Sequence, residues 1–363
     1  MGEVAMGRRR PDTPTLEEVA ARAGVGRGTV SRVVNNAAGV KESTRRAVRE
    51  AIAELGYVPN LAARSLAGRR ADAVALAMTE RDWRLFGEPF FAETVHGVGD
   101  ALAETGVQLL LTLIRTDEER KRFVEYARGG RVDGVLLVSV RADDALPDML
   151  AEARLPTVLL GRRSGDERIP YVDADNAGGA RDAVDHLVGQ GRTAIATITG
   201  PLDMYVAQCR LRGYREALAR AGLDGGPSWT AGGDFTEASG RRAMAELLAR
   251  HPGVDAVLAA SDTTAAGALT ALREAGRRVP EDVAVIGFDD FPLARDTVPQ
   301  LTTVRQPMAE MGRALVGLLL EEMRDTGDMR DTGEREGSGE TAERGAARRR
   351  VLLRTELVLR ESA

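Results

Sequence analysis

The segment TLEEVAARAGVGRGTVSRVVNN, residues 15–36, predicts two short helices joined by a tight turn. Thr15 stands where an N-cap is needed, because its side-chain oxygen can accept a bond from a free backbone N–H. Gly24 suits the left-handed conformation that often ends a helix. Four apolar residues of the first helix recur at the spacing of one helix face: Leu16, Val19, Ala20 and Ala23. The segment therefore predicts a helix-turn-helix, although an ordinary helical hairpin has the same pattern.

The second helix of the pair, at about residues 27–35, is expected to bury its three valines and to expose its other residues. In a helix-turn-helix, the N-terminal half of this helix enters the major groove of DNA. The candidate DNA contacts on it are Arg27, Gly28, Thr29, Ser31, Arg32 and Asn35. Arg27 can donate two parallel hydrogen bonds to a guanine, whereas Gly28 only permits close approach.

The charge of the chain is divided unevenly. Residues 1–70 contain 13 Lys/Arg and 7 Asp/Glu, which gives +6 and leaves −11 for the rest of a chain with a net charge of −5. The head is therefore basic and the rest of the chain acidic, and a cationic face is what binding to nucleic-acid phosphates requires.

Composition excludes several classes of function. A single cysteine, Cys209, and three scattered histidines predict neither a disulfide nor a metal site, and we expect no cofactor. No run of ~18 apolar residues predicts a membrane span, and the N-terminus lacks the apolar core of a signal peptide. We therefore expect a cytoplasmic, nucleoid-associated protein.

The head is expected to comprise residues 15–59, preceded by a disordered arm over residues 1–14. Ser43 is expected to cap a third helix that ends near Leu55 and completes a small helical core. Residues 60–71 follow, with the short helical pattern LAARSL and a basic linker.

Together, TLEEVAARAGVGRGTVSRVVN (15–35) and GYVPNLAARSLAGRR (56–70) resemble the head and hinge of LacI/GalR family transcriptional regulators. The resemblance extends in order over nearly the whole chain. It implies that residues 60–71 form a hinge helix that folds on operator DNA in a dimer, with Leu66 wedged between base pairs in the minor groove. Such a wedge bends the duplex and lets more protein reach it. Thr15 and Asn60 complete the set of candidate DNA contacts.

Beyond Asp72, short β-rich runs alternate with helical stretches, which predicts parallel sheets with right-handed crossovers. The strands are predicted at 73–78, 107–113, 134–138, 157–160, 193–199, 256–260 and 283–286. We predict an effector domain over residues 72–363 made of two α/β lobes. The first lobe is expected to span about 72–172 and 302–323, and the second about 173–300 and 350–360. The polar segment 324–349 lacks apolar periodicity and is predicted to be a disordered insertion.

Ligands of parallel sheets bind beyond the carboxyl ends of the strands, where Arg210 and Asp262 are expected to lie. An arginine fork and a carboxylate can together bind several hydroxyls of one sugar. A surface ion pair for Arg210 and a plain helix cap for Asp262 are the alternatives.

This region also resembles type I periplasmic sugar-binding proteins and LacI/GalR effector domains. The matching motifs are EPFF (88–91), GPLDMYVAQCRLRGY (200–214), GDF (233–235) and AASDTTAAG (259–267). The resemblance implies a pocket lined by Phe90, Phe91, Met204, Val206, Arg210, Phe235 and Asp262. The segments VDADNAGGA (172–180) and LTTVRQP (301–307) are interpreted as structural, and Asp289 and Asp290 as turn scaffolding.

The predicted function is a DNA-binding regulator, in particular a repressor of carbohydrate uptake or utilisation genes. Its expected partners are double-stranded operator DNA, a small sugar-like effector and a second copy of the chain; the sequence leaves open whether the homodimer assembles further. It also leaves open whether the effector releases the protein from DNA or strengthens binding. A periplasmic binding protein is the first alternative, disfavoured by the basic head. An α/β enzyme is the second, disfavoured because no nucleophile elbow, phosphate loop or metal triad occurs.

Overall fold

A computed structural model describes residues 14–34, 39–57, 71–79, 89–332 and 349–363, with no side chains described for residues 327–332. The chain divides into two compact units, Met1–Ala71 and Asp72–Ala363. Three predicted DNA contacts, Asn35, Asn60 and Leu66, lie outside the described residues, as do nearly all of the expected N-terminal arm and hinge helix.

The first unit contains the three predicted helices, α1 Leu16–Ala23, α2 Arg27–Val34 and α3 Glu42–Leu55. Its core is built on one fully buried valine from each helix: Val19, Val30 and Val48. The turn after α1 is made as predicted, because Gly24 has a φ of 65° and its N–H bonds back to the helix. Ser43 is not a cap: α3 begins one residue earlier, at Glu42, and Lys41 precedes it without a side-chain cap bond.

The second unit contains two six-stranded sheets. The strands of the first are β1 Ala73–Met78, β2 Gln108–Leu113, β3 Gly134–Val138, β4 Thr157–Leu160, β5 Tyr171–Ala174 and β11 Arg350–Leu353. Their order is β11-β5-β4-β3-β1-β2, and every pair is parallel. The strands of the second are β6 Ile195–Thr199, β7 Thr230–Gly232, β8 Ala256–Ala259, β9 Ala284–Asp289, β10 Thr302–Arg305 and β12 Glu356–Val358. Their order is β12-β10-β9-β8-β6-β7, with only β12 antiparallel to its neighbour.

Helices cover both faces of each sheet, which gives each lobe two apolar layers. Those of the first lobe are Pro89–Leu102, Asp117–Tyr126, Leu146–Glu152 and Met308–Thr332. Those of the second are Asn176–Gly189, Tyr205–Ala221, Glu237–Arg250, Asp262–Glu274 and Leu293–Asp296. The predicted alternation of strands and helices is confirmed. Among the described residues, no helix is both long and apolar enough to cross a membrane.

The structure corrects the predicted lobe boundaries. Strand β10, expected in the first lobe, pairs with β9 in the second sheet. The C-terminal segment, expected in the second lobe alone, splits into β11 in the first sheet and β12 in the second. Apolar alternation predicts that a strand exists but not which sheet edge it joins. The described part of the chain consequently passes between the lobes three times, after β5, after β10 and after β11.

The predicted disordered insertion also begins too early. The helix that starts at Met308 continues to Thr332, beyond residue 324, where the insertion was expected to begin. Its first half is anchored by buried residues such as Leu315 and Leu319, and an anchored helix adds further turns at little cost. At the other end of the segment, Arg349 pairs with Glu322 of this helix at 2.8 Å. Residues 333–348 lie outside the described part of the chain.

Candidate functional sites in the head and in the cleft between the lobes

The exposed face of α2 presents the residues predicted to contact DNA. Arg27, its first residue, has 73% of its side chain exposed and pairs with Glu17 of α1 at 2.9 Å. Next to it, a Cβ added at Gly28 would meet nothing within 4 Å, so packing does not require glycine there. No described residue therefore covers this face against the approach of another molecule.

The remaining predicted contacts of the head are placed as follows. Arg32 is exposed, and its Nε donates to the carbonyl of Gly28 at 3.3 Å, while Thr29 and Ser31 are half-buried. The Thr15 hydroxyl accepts from the N–H of Glu18 at 3.3 Å, and Glu18 accepts from the N–H of Thr15 at 2.7 Å. Thr15 thus forms the predicted cap, and contact of any of these residues with DNA stays a prediction.

A cleft lies between the two lobes at the carboxyl ends of their strands, where ligands of parallel sheets bind. The described residues lining it are Phe90, Phe91, Ser139, Val140, Leu160, Gly161, Arg162, Asp173, Asn176, Met204, Tyr205, Val206, Arg210, Phe235, Ser261, Asp289, Phe291, Gln306 and Met311. Together with its open mouth, the cleft encloses about 890 Å³. Concave surfaces that are mostly apolar and carry a few polar groups are the usual sites of small molecules, so the cleft has the shape and lining of a ligand site.

Six of the seven predicted effector contacts line this cleft: Phe90, Phe91, Met204, Val206, Arg210 and Phe235. The rings of Phe90 and Phe91 meet edge to face, with centroids 5.7 Å apart. Phe235, at a φ of 69°, packs on the backbone of Gly200, where an added Cβ would lie 2.2 Å from the ring carbon Cζ. Only glycine at position 200 leaves the Phe235 ring in this place.

Arg210 is held from three sides. Its Nε donates to Asn176 Oδ1 at 2.9 Å, its Nη2 donates to Asp289 Oδ1 at 3.1 Å, and its Nη1 donates to the carbonyl of Ala260. Its guanidinium also lies 3.7 Å from the ring centroid of Phe288. The surface ion pair considered for this residue is wrong, because its side chain is only 7% exposed.

Asp289 lines the cleft at a strained turn, although the sequence suggested only scaffolding. Its φ is 109° and that of Asp290 is 58°, conformations that side chains with a Cβ rarely adopt. Besides Arg210, the Asp289 carboxylate accepts from Gln306 Nε2 at 2.6 Å. Burial raises the pKa of Asp289, while the charge of Arg210 opposes that rise.

Asp262 is the seventh predicted contact, and its expected place on the cleft wall is wrong for this structure. Its side chain is fully buried and belongs to the second lobe alone. One oxygen accepts from the N–H of Phe291 at 2.9 Å and the other from the Thr303 hydroxyl at 2.5 Å. Burial and the neighbouring charge of Asp289 raise the pKa of Asp262 well above its usual value. The helix cap in this place is Ser261, whose hydroxyl accepts from the N–H of Thr264.

Several cleft residues were missed by the sequence analysis. Asp173 accepts from Asn176 Nδ2 at 3.1 Å and from Arg162 Nε at 2.9 Å, so these three form a polar chain that continues through Asn176 to Arg210. Gln306 extends it beyond Asp289. Arg162, Asp173, Asn176 and Gln306 all lie at or just after the ends of strands β4, β5 and β10. A position at the end of a parallel strand could have identified these four residues as candidates for the cleft. They were missed because VDADN and LTTVRQP were interpreted as purely structural.

The described charged residues that line the cleft are two arginines and two aspartates: Arg162, Arg210, Asp173 and Asp289. Each guanidinium bonds to one of the carboxylates, at 2.9 Å and 3.1 Å. With all four ionised their charges cancel. In the described part of the chain, no group of His, Cys, Asp and Glu is arranged to hold a metal ion.

Two family models match the chain: bacterial regulatory proteins of the lacI family over residues 15–60, and a periplasmic binding protein-like domain over residues 184–363. The HTH-type transcriptional regulator CelR of Thermobifida fusca is 53% identical over 325 residues, which cover 89% of this chain and 94% of that protein.

Two solved structures of known regulators are similar over nearly the whole chain. A transcriptional regulator CelR–cellobiose complex is 48% identical, with a TM-score of 0.72, and the match covers 96% of this chain and 100% of that one. The lac repressor dimer bound to operator and the anti-inducer ONPF is 29% identical, with a TM-score of 0.80 and coverage of 96% and 99%. These matches confirm the predicted fold of a helical head followed by a two-lobed α/β domain.

Proposed function

The chain belongs to the lacI family of bacterial DNA-binding regulators, and from that premise we propose that it represses carbohydrate uptake or utilisation genes under the control of cellobiose or a related oligosaccharide. The observation behind this proposal is the make-up of the cleft, where aromatic faces surround a polar chain whose charges cancel. The similar solved structure that contains cellobiose supports the choice of sugar.

The aromatic residues suit the apolar faces of sugar rings. Five of them line the cleft, from both lobes: Phe90, Phe91, Tyr205, Phe235 and Phe291. Flat aromatic faces bury C–H surface, while a few placed polar groups fix orientation. A neutral oligosaccharide has both kinds of surface.

The balance of charge in the cleft favours an uncharged ligand. Arg162 and Arg210 each already bond to a carboxylate, so a phosphate would bring uncompensated negative charge beside Asp173 and Asp289. Burying such a charge is costly. We therefore expect cellobiose to bind much more tightly than a phosphorylated sugar.

The head supplies the second half of the proposed function. Arg27 is exposed at the start of α2 and can reach base edges in a major groove. Family members act as dimers on operator DNA, as in the similar lac repressor complex. Closure of the cleft on a ligand would change how two copies present their heads, which links effector binding to DNA affinity. Because operator DNA is the target, we infer that the protein acts in the cytoplasm, and as a regulator rather than an enzyme.

The test is fluorescence anisotropy with the labelled promoter of the protein's own operon and with scrambled DNA, each with cellobiose, glucose or glucose 6-phosphate. We expect specific DNA binding that cellobiose alone changes; the sign of the change separates an inducer from a co-repressor. Tighter binding of glucose 6-phosphate would refute the charge argument, and sugar binding without any DNA binding at low salt would favour a binding protein.

Arg27→Ala tests whether Arg27 makes a sequence-specific contact with DNA bases. Loss of a bidentate base contact should weaken promoter binding by ~1–3 kcal/mol and leave binding to scrambled DNA little changed. Arg22→Ala, on α1, is the matched control, because Arg22 pairs with Glu54 of α3 within the head. Equal loss on both DNAs would make Arg27 a phosphate contact only.

A further inference from the structure

Two loops of the first lobe meet one segment of the second lobe at the mouth of the cleft. In the loop after β3, the N–H of Ala142 donates to the carbonyl of Asp203 at 2.9 Å. Beside it, Arg141 Nη1 donates to the carboxylate of Asp203. Asp203 lies two residues before the Tyr205–Ala221 helix, which bears Arg210.

The loop after β4 contributes Arg162, whose position is fixed within the first lobe. Its Nε donates to Asp173 at 2.9 Å and its Nη1 donates to the Tyr171 hydroxyl at 3.1 Å. The guanidinium carbon Cζ lies 5.0 Å from the centroid of the Tyr171 ring, and the side chain is only 16% exposed. Arg162 is therefore a preorganised cation on the wall of the cleft.

The same guanidinium reaches the second lobe through one aromatic ring. Its Cζ also lies 5.0 Å from the centroid of Tyr205, within the range of a cation–π contact. The hydroxyl of Tyr205 lies against the backbone of Gly165, where an added Cβ would be 3.0 Å from it. Both Arg162 and Tyr205 line the cleft, so a ligand bound there would lie beside the junction of the lobes.

We propose that Arg162 and Tyr205 form a latch between the lobes that makes effector affinity depend on closure of the cleft. Arg162 is anchored on the first lobe and Tyr205 on the second, so opening the cleft separates them. A ligand in the cleft contacts both walls only when the cleft is closed. The latch stabilises the closed form before any ligand arrives. A ligand then has less closing to bring about, which raises its apparent affinity. The proposal rests on the proposed function for the identity of the effector, but not for the existence of the latch.

A measurement on the ligand-free protein tests the latch. Ala142 is exposed, so protection of its N–H against hydrogen exchange reports the bond to Asp203 across the cleft. Tyr205→Leu should speed exchange at Ala142 by about 2- to 30-fold, the range that corresponds to one cation–π contact. Arg162→Met should speed it at least as much, because it also leaves the buried Asp173 without its cation.

Tyr126→Leu is the matched control. Arg131 lies over the Tyr126 ring at the same 5.0 Å, but both residues belong to the first lobe. This variant should leave exchange at Ala142 unchanged. Equal acceleration in Tyr126→Leu, or no acceleration in the other two variants, would overturn the latch.

Cellobiose affinity by calorimetry provides the second readout. Tyr205→Leu should bind about 2- to 30-fold more weakly than the wild type, whereas Tyr126→Leu, which lies outside the cleft lining, should bind as the wild type does. Unchanged affinity in Tyr205→Leu, or an equal loss in Tyr126→Leu, would refute the latch. If the wild type does not bind cellobiose, the proposed effector is wrong, while the exchange experiment still decides the latch.

Discussion

The two walls of the cleft differ in how their residues are held. On the second lobe, Arg210 is fixed by bonds to Asn176, Asp289 and the backbone of Ala260, and Gln306 braces Asp289 from the other side. The first-lobe wall is mainly apolar, with Phe90, Phe91, Val140, Leu160 and Met311. Its charged residues, Arg162 and Asp173, lie where the two lobes meet.

This difference predicts that the two walls contribute differently to ligand binding. A polar network assembled before the ligand arrives can orient hydroxyls without reorganisation. An apolar wall has no directional demands and tolerates changes of shape. We therefore expect substitutions on the second-lobe wall to cost much more than those on the first.

The largest effect is expected from Arg210→Leu. It leaves the Asp289 carboxylate buried without its cation, which typically costs ~3–5 kcal/mol of stability, and it removes the central donor of the polar wall. Thermal melts and cellobiose titration should show a strongly destabilised protein without measurable binding. Arg212→Leu is the control on the same helix, because its side chain is 49% exposed. Unchanged melting of Arg210→Leu would mean that Asp289 does not need this partner.

A smaller loss is expected from Gly200→Ala, which acts on the second-lobe wall without removing any polar group. The new methyl would lie 2.2 Å from Phe235, and overpacking of this kind costs ~1–3 kcal/mol. Displacement of the ring should also weaken cellobiose binding. Gly232→Ala, where nothing lies within 4 Å, should bind normally. Equal affinity in both variants would show that the position of Phe235 is unimportant.

The first-lobe wall is tested by Phe90→Leu. Because this half-buried residue packs in an apolar surface, the swap should cost less than ~1.5 kcal/mol in stability and affinity. If calorimetry shows that Phe90→Leu loses as much cellobiose affinity as Arg210→Leu, the proposed difference between the two walls is wrong.

The smallest effect on the ligand is expected from Asp262→Asn, since Asp262 does not line the described wall. Burial and the charge of Asp289 raise the pKa of Asp262 in the folded protein. The protonated carboxyl therefore contributes its full stability below the unfolded-state pKa of ~3.9. This contribution is lost as the pH rises through the folded-state pKa. The unfolding free energy of Asp262→Asn relative to wild type should therefore increase with pH above ~4. Denaturant unfolding across pH measures this difference. A large loss of cellobiose affinity in Asp262→Asn would instead show that Asp262 contributes to ligand binding.

Local patterns were sufficient to predict much of the fold. Helical spacing, Thr15 and Gly24 specified α1 and its two ends, and the strands β1, β3 and β4 were predicted to the residue. The placement of β10 and β11 was not predicted, because the pairing of a strand depends on distant residues rather than on its own sequence. The extension of the last helix was missed because polar residues give no apolar periodicity even where a helix continues.

The candidate site was predicted less completely. The motifs pointed to Arg210 and the phenylalanines, and the structure brings them together in the cleft. The strand ends marked such residues as candidates for the cleft, but which of them bond to Arg210 could not be predicted. Asn176 and Asp289 are far from Arg210 in sequence and meet it only through the order of the strands. The residues next to Asp262 in the sequence likewise do not predict whether its side chain faces the cleft or the interior of the lobe.

The pairing of β5 with β11 has a consequence for how the protein is made on the ribosome. Tyr171 of β5 pairs with Arg350 of β11, so the first lobe cannot be completed until β11 has been synthesised. Until then the nascent protein presents an open strand edge, the kind of surface to which other unfinished chains can add. A stop codon shortly before codon 350 would release a protein with an intact helix-turn-helix and an unfinished first lobe.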